Sequence, residues 1–315
     1  AASDVYKRQA YNVASSSIYL DAVTVAPSDT AEGRGEALGI LAGESHKLFA
    51  DPAVGELLAF LREHKQELTQ LQARQVEELS RSYRQLSVIP QDEYMEYAKL
   101  TNEADAVWHK AKETNDFALF CPYLEKMFAF NRKFAGYYDA DKAPYDALLS
   151  EYERGLSMEY LDRFFGQVRE ALVPVIHAIN EKEQIDDSFL HQHYPVDAQR
   201  KFSDYLMEVM GLDRTHCTIG ETEHPFTLNF NNKDVRITTH YLEDNVASSM
   251  YSVIHEGGHA MYELNISDDV QYTCLAGGVS MSIHESQSRF YENIIGRSRA
   301  FCGCLLYTSD AADDK

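Results

Sequence analysis

The sequence predicts a mainly α-helical protein in which one small β-hairpin interrupts the helices. Over most of the 315 residues, apolar side chains recur every three or four positions with charged residues between them, as in amphipathic helices. Only residues 226–243 depart from this pattern, because they alternate with period two and are rich in β-branched residues. The two periodicities together define the fold class.

The first long stretch of helical spacing covers residues 51–86, where leucine and valine repeat until Pro90 stops the pattern. The same spacing predicts further helices over 91–114, from Asp116 onward, and over 157–182 and 196–210. Gly211 marks the end of the last of these helices.

The predicted hairpin has a turn at residues 231–233, followed by alternating Val235, Ile237 and Thr239. A new helix then begins, with Asp244 or Asn245 as its cap. No internal repeat or low-complexity linker divides the sequence, so residues 1–315 are expected to form a single domain. The stretches 1–10 and 305–315 do not continue the neighbouring patterns and are expected to be non-native tails.

Composition and charge exclude several classes of function. The formal net charge is −21, which repels phosphate backbones and anionic lipid and argues against nucleic-acid or membrane binding. The five cysteines are odd in number and include no C-x-x-C pair, so a disulfide framework or cysteine zinc site is not expected. A reducing, cytoplasmic location fits this cysteine usage best.

The segment 255–259 carries the pattern H-E-x-x-H inside the helix that follows the hairpin. His255 and His259 are four positions apart, so both imidazoles can reach one zinc ion. Glu256 is placed to take a proton from a zinc-bound water. Gly257 and Gly258 each cost a helix about 1 kcal/mol relative to alanine, which suggests close approach of another element or of substrate.

A catalytic zinc ion needs a third protein ligand. Glu263 is excluded, because its Cα lies about 12 Å along the helix axis from that of His255. A second helix is predicted over residues 279–295. Spacing favours Glu285 on it as the third ligand, with Glu292 and His284 as rivals. The alternative role for Glu285 is an ion pair with Arg289, four residues on.

Four ordered motifs resemble those of the carboxypeptidase Taq family of metallocarboxypeptidases. They are His224-Pro225-Phe226, Asp234-Val235-Arg236-Ile237-Thr238, H-E-G-G-H at 255–259 and His284-Glu285-Ser286-Gln287. Weaker similarity extends the resemblance to roughly residues 11–305.

The resemblance implies an elongated, nearly all-helical zincin-type fold with a groove and a small antiparallel hairpin beside the H-E-x-x-H helix. It implies Zn²⁺, with another divalent metal such as Co²⁺ possible, held by His255, His259 and Glu285, and Glu256 as general base. His224, Arg236 and His284 lie in family motifs and are expected to bind substrate. The implied activity is release of C-terminal residues from peptides, in an enzyme that is usually a homodimer.

Two of the residues expected to bind substrate could instead have purely structural roles. Arg236 and Asp234 lie on one strand face and could simply pair, and His224 could anchor a loop. The family's downstream motifs, an arginine and a G-x-x-Q-D-x-H-W segment, are not found in this sequence. The chain is therefore expected to be C-terminally incomplete, and the competing functions are an endo-acting zinc oligopeptidase and an inactive fragment that binds metal or peptides.

Overall fold

The computed structural model describes residues 2–27 and 30–305 and divides into two compact units. The first unit comprises Ala1–Leu148 and Ile266–Gly277, and the second comprises Leu149–Asn265 and Gly278–Lys315. Helices dominate both units and the one sheet is small, so the predicted mainly α fold class is confirmed. The single domain stays a prediction, and residues 306–315 of the expected C-terminal tail lie outside the described part. Within that part, no helix has both the length and the apolarity to cross a membrane.

The described residues of the first unit form α-helices and short 3₁₀ turns, joined by loops. In chain order they are α1 (Ala2–Thr24), α2 (Ala31–Phe49), α3 (Pro52–Glu63), α4 (Gln70–Ser87), α5 (Gln91–Glu113), α6 (Phe117–Tyr138) and α7 (Pro144–Tyr152), the last of which runs into the second unit. The predicted helices over 91–114 and from Asp116 are confirmed as α5 and α6.

The helical spacing over 51–86 is confirmed as helix, but the stretch forms two helices, α3 and α4, with a 3₁₀ turn between them. Thr69 caps α4: its hydroxyl oxygen accepts a hydrogen bond from the backbone N–H of Gln72, and its own backbone N–H donates to Oε1 of the Gln72 side chain. This capping box satisfies helix-end amides and so favours a new helix over a continued one. The sequence also gave no sign of α2, whose buried positions are Gly35, Gly39, Gly43 and His46.

The second unit contains the sheet and the H-E-x-x-H helix. Its elements are α8 (Met158–Asn180), α9 (Val196–Val209), β1 (Cys217–Glu221), β2 (Thr227–Asn231), β3 (Asp234–Thr239), α10 (Val246–Leu264), α11 (Met281–Arg289) and a π-helical segment (Phe290–Gly296), with 299–305 helical again. The predicted helices over 157–182 and 196–210 are confirmed as α8 and α9.

The predicted hairpin is confirmed as β2 and β3, which pair antiparallel next to the turn at 231–233. The sequence missed β1, which pairs parallel to β3 and makes the sheet order β1-β3-β2. β1 is only five residues long and contains a glycine, so it lacks the apolar alternation that identifies a strand.

The core of the second unit lies between the sheet, α9 and α10. Val235 and Ile237 of β3, Val253 and Ile254 of α10, and Leu206 of α9 are essentially inaccessible to solvent and form one cluster. Because the sheet and α9 bury one face of α10, the orientation of this helix is fixed by ordinary hydrophobic packing.

The two glycines of α10 are sites of close approach, as the sequence suggested. A Cβ on Gly258 would lie 2.8 Å from the Cα of Ser288 on α11, and one on Gly257 would lie 2.6 Å from the terminal methyl of Met210. The Ser288 contact is with backbone, which cannot move aside as a flexible side chain can. Gly258 therefore sets how closely α11 approaches α10.

We expect Gly258→Ala to lower the free energy of unfolding by about 1–3 kcal/mol, because the added methyl overpacks the α10–α11 contact. Gly166→Ala is the matched control: this glycine is inside α8 and has nothing within 4 Å of an added Cβ. It should stabilise the protein by about 0.5–1 kcal/mol through helix propensity. Urea unfolding measures both changes. Equal effects of the two substitutions would contradict the close-contact interpretation.

Candidate metal centre

Helix α10 carries the two histidines of the candidate site on the face next to its buried stripe. The helix begins at Asn245, whose side chain accepts a hydrogen bond from the backbone of Ser248, so Asn245 is the cap. Burial of Val253 and Ile254 turns His255 and His259 toward α11, and their ring centroids lie 5.0 Å apart. The predicted helical context of H-E-x-x-H is therefore present.

Glu285 of α11 completes a group of three side chains with metal-binding atoms. Its Oε2 lies 3.6 Å from Nε2 of His255 and 3.3 Å from Nε2 of His259. One donor atom from each of the three falls within 4.8 Å of the others, and no other such trio of His, Cys, Asp or Glu occurs in residues 2–27 and 30–305. Two imidazole nitrogens and one carboxylate oxygen suit zinc and similar divalent metals.

Glu292 and His284, the two alternative ligands, contact the Nδ1 atoms of the histidines and not the Nε2 atoms that face Glu285. Oε2 of Glu292 is 2.9 Å from Nδ1 of His255, and Nδ1 of His284 is 2.5 Å from Nδ1 of His259. In both histidines Nδ1 is thus engaged by protein while Nε2 faces Glu285. Partners of this kind fix the ring orientation and tautomer of metal-binding histidines.

Glu285 is held in place by two neighbours on its own helix. Nε of Arg289 donates to Oε1 over 2.7 Å, and the hydroxyl of Ser288 donates to Oε2 over 3.0 Å. The ion pair with Arg289, which the sequence offered as an alternative role, is therefore present alongside the histidine contacts. Burial acts to raise the pKa of Glu285, but the bonds from Arg289 and Ser288 outweigh it and hold that pKa below its usual range.

Glu292 is brought to His255 by the π-helical segment that follows α11. Such segments insert an extra residue into a helix and often occur at functional sites. Arg297 donates to Oε1 of Glu292 over 2.7 Å, and Arg289 donates to Oε2 over 3.2 Å. Burial opposes ionisation, yet hydrogen bonds from Arg297 and His255 keep the pKa of Glu292 below its usual range. Glu292 thus stays ionised as the partner of His255.

Glu256 lies on the buried side of the cluster, next to strand β2. The hydroxyl of Thr227 donates to its Oε2 over 2.6 Å, a contact that the sequence did not suggest. Burial raises the pKa of Glu256, while the bond from Thr227 and the nearby His255 act in the opposite direction. A carboxylate with a raised pKa is a better proton acceptor at neutral pH than an exposed one.

His259 is neutral at physiological pH. Burial is the main cause, and the nearby rings of His284 and His255 add to it, so that the pKa of His259 falls to about 4. A neutral imidazole is the form that binds metals. The site therefore needs no proton release from His259 before a cation can bind.

The three residues expected to bind substrate have different surroundings. Arg236 makes two 2.8 Å bonds to Asp234 and lies over the ring of Phe230, so the pairing that the sequence left open is present. His224 is exposed, and its Nδ1 is 2.8 Å from the carbonyl oxygen of Pro225. His284 contacts protein groups through both ring nitrogens. Substrate contact by these residues stays a prediction.

Comparisons with known proteins agree with the motifs. The family model of the carboxypeptidase Taq (M32) metallopeptidases matches residues 2–312. Carboxypeptidase 1 of Bacillus subtilis (strain 168) is 37% identical over 300 residues, which are 95% of this chain and 60% of that protein. The crystal structure of BsuCP superposes with a TM-score of 0.91 at 36% identity, covering 94% of this chain and 60% of the other.

The M32 carboxypeptidase from Deinococcus radiodurans R1 is also similar, with a TM-score of 0.85 and 31% identity over 98% of this chain and 62% of that one. Carboxypeptidase 1 of Bacillus subtilis is matched over 60% of its length, so this chain spans about three fifths of that protein.

The choice between Glu285 and Glu292 as ligand can be tested by substitution. We expect Glu285→Gln to weaken Zn²⁺ binding by more than about 100-fold, because an amide replaces the anionic donor. Glu292→Gln should weaken it by about 10- to 100-fold, as for other residues that support a ligand. Equilibrium dialysis with zinc analysis measures both affinities. A larger loss for Glu292→Gln would make Glu292 the ligand.

Proposed function

Because this chain belongs to the carboxypeptidase Taq (M32) family of metallopeptidases, we propose that it is a metallocarboxypeptidase that releases C-terminal amino acids from peptides. The observation that carries the proposal is the convergence of His255, His259 and Glu285, with Glu256 on the same helix as the two histidines. Family membership supports peptide hydrolysis as the chemistry. The arrangement of the cluster supports metal dependence.

Zinc is the metal we propose, with His255, His259 and Glu285 as its ligands and Co²⁺ as a possible substitute. The donor set fits, since two imidazoles and one carboxylate match the composition of known catalytic zinc sites. When bound, such an ion polarises a peptide carbonyl and lowers the pKa of water at its open position. The side chains of the protein carry out the remaining tasks, which are proton transfer and substrate binding.

Glu256 is proposed as the general base. Its buried carboxylate has a raised pKa and can accept a proton from the attacking water and pass it to the leaving amine. The hydroxyl of Thr227 holds Oε2 by a 2.6 Å hydrogen bond, which limits rotation of the carboxylate. That bond leaves Oε1 of Glu256 as the oxygen for proton transfer.

Substrate binding is proposed for His224, which precedes β2, and for Arg236, which lies within β3 opposite Leu228 of β2. The ion pair with Asp234 holds the guanidinium of Arg236 in place. The exposed side of this guanidinium is available to donate to a peptide. His224 is exposed and precedes β2, whose Thr227 bonds to Glu256. Both residues are therefore suitable for contact with a peptide near the reacting bond.

Two further proposals concern the setting of the enzyme. The family resemblance favours a homodimer, and the five cysteines without a C-x-x-C pair favour the reducing cytoplasm. The net charge of −21 supports small peptides as partners rather than nucleic acids or anionic membranes.

Two alternative functions share the same metal cluster. An endo-acting oligopeptidase would cut within peptides, and a binding protein would hold metal or peptides without turnover. The two experiments below separate the three functions.

We expect Glu256→Gln to keep the metal affinity of the unaltered protein and to lower kcat by about 100- to 10,000-fold, as for loss of a general base. Glu208→Gln is the control, since it makes the same change on the exposed face of α9. Hydrolysis of a chromogenic dipeptide with a free carboxylate, measured together with zinc content, reports both quantities. Undiminished turnover in Glu256→Gln would show that another group is the base.

A second experiment compares peptides with free and amidated C-termini. A carboxypeptidase must recognise the terminal carboxylate, so kcat/KM should fall by at least about 100-fold on amidation, which is about 2.7 kcal/mol in the transition state. Mass spectrometry of the products measures rate and cleavage position. Equal rates on the two peptides would favour the oligopeptidase, and zinc binding without cleavage of either would favour the binding protein.

A further inference from the structure

We propose that His284 is a positioning residue, which together with Glu263 holds the imidazole of His259 with its Nε2 toward the metal-binding cluster. The inference rests on the proposed metal-dependent function. It goes beyond that function because it gives roles to two side chains outside the ligand set. Glu263 is the residue that helix geometry excludes as a ligand, and His284 is one expected from sequence to bind substrate.

The contacts form a continuous chain from the cluster to the sheet. Nδ1 of His259 is 2.5 Å from Nδ1 of His284, and Nε2 of His284 is 2.6 Å from Oε1 of Glu263. The side-chain amide of Asn229 on β2 donates to Oε2 of Glu263. Glu263 is 5% exposed, so its carboxylate depends on these two partners in place of water.

The direction of each hydrogen bond in this series follows from the carboxylate of Glu263, which is the last acceptor. A carboxylate oxygen accepts hydrogen bonds, so Nε2 of His284 is the donor to Oε1 of Glu263. Because Nε2 of His284 donates to Glu263, its Nδ1 is the nitrogen placed to accept a hydrogen bond from Nδ1 of His259. His259 is left with an unprotonated Nε2, and this is the nitrogen that lies 3.3 Å from Glu285. This series of hydrogen bonds thus selects the tautomer of His259 that can bind a metal through Nε2.

The ring of His284 is also fixed by packing. Tyr262 stacks on it with ring centroids 4.8 Å apart and an angle of 25° between the planes. Gly278 passes so close that a Cβ there would clash with Cδ2 of the His284 ring. Both ring nitrogens bond to protein groups, and Tyr262 and Gly278 pack against the ring. The ring of His284 therefore has little freedom to turn toward a peptide.

The two metal-binding histidines are therefore supported differently. His255 meets the carboxylate of Glu292 directly, whereas His259 reaches the carboxylate of Glu263 through a second imidazole. The extra ring spans the distance from His259 to Glu263, which lies one helical turn further along α10. Removing the His284 ring would leave Nδ1 of His259 without an acceptor and Oε1 of buried Glu263 without its donor, with Asn229 still bound to the carboxylate.

Substitutions that separate ring volume from hydrogen bonding test this role. His284→Phe keeps a ring that can stack on Tyr262 but removes both nitrogens, while the amide oxygen of His284→Asn can take the place of Nδ1. The matched control is His216→Phe, since His216 also pairs with a carboxylate, that of Asp213, outside the metal-binding cluster. Zinc affinity is measured by competition with a chromophoric chelator, and the absorption spectrum of the Co²⁺-loaded protein reports ligand geometry.

We expect His284→Phe to bind Zn²⁺ about 10- to 100-fold more weakly and to shift the Co²⁺ spectrum. His284→Asn should recover a large part of the affinity, and His216→Phe should match the unaltered protein. The proposal is overturned if His284→Phe binds zinc like the unaltered protein with the same Co²⁺ spectrum, or if His284→Asn and His284→Phe lose affinity equally.

Peptide hydrolysis by the unaltered, zinc-loaded protein is measured in the same series. Absent hydrolysis with the expected order of zinc affinities would refute the proposed function and leave the positioning role standing. Normal hydrolysis with equal affinities would refute the positioning role alone. Failure of the unaltered protein to bind zinc would overturn both.

Discussion

The contact between α10 and α11 at Gly258 is the constraint on which the candidate metal centre depends. His255 and His259 belong to one helix and Glu285 to the other, so the distance between these helices decides whether the three side chains can share an ion. At Gly258 the backbone of α11 comes within 2.8 Å of the place where a side chain would begin. A larger residue would hold the helices apart and withdraw Glu285 from both histidines. The cost of a glycine within a helix, about 1 kcal/mol, is thus offset by the geometry it permits.

A second consequence of this close packing is a concentration of charge. The carboxylates of Glu256, Glu263, Glu285 and Glu292 all lie in or next to the cluster, and partial burial makes unpaired anions costly. The protein supplies a specific partner for each of them, and these partners are Thr227, His284, Arg289, Arg297, His255 and His259. The result is a set of rigid side chains around one position suited to a cation.

The sequence predicted the parts of this site that depend on local spacing. The i, i+4 histidines, the helix around them and the hairpin before them all follow from periodicity, and the exclusion of Glu263 as a ligand follows from helix rise alone. Spacing could not choose among Glu285, Glu292 and His284, because that choice depends on where a π-helical segment turns Glu292. Thr227, which is 29 residues from Glu256, and β1, which pairs across the sheet, were missed because tertiary packing rather than local pattern creates their contacts.

The central claim is that His255, His259 and Glu285 bind one divalent metal ion. X-ray absorption spectroscopy of the zinc-loaded protein tests it most directly, because it reports the number and type of atoms bound to the metal. We expect two histidine nitrogens and oxygen ligands at about 2.0–2.2 Å, with no sulfur. The same measurement on Glu285→Gln protein should show an altered oxygen shell or no bound zinc. A sulfur ligand at about 2.3 Å, or a spectrum with fewer than two histidines, would contradict the claim.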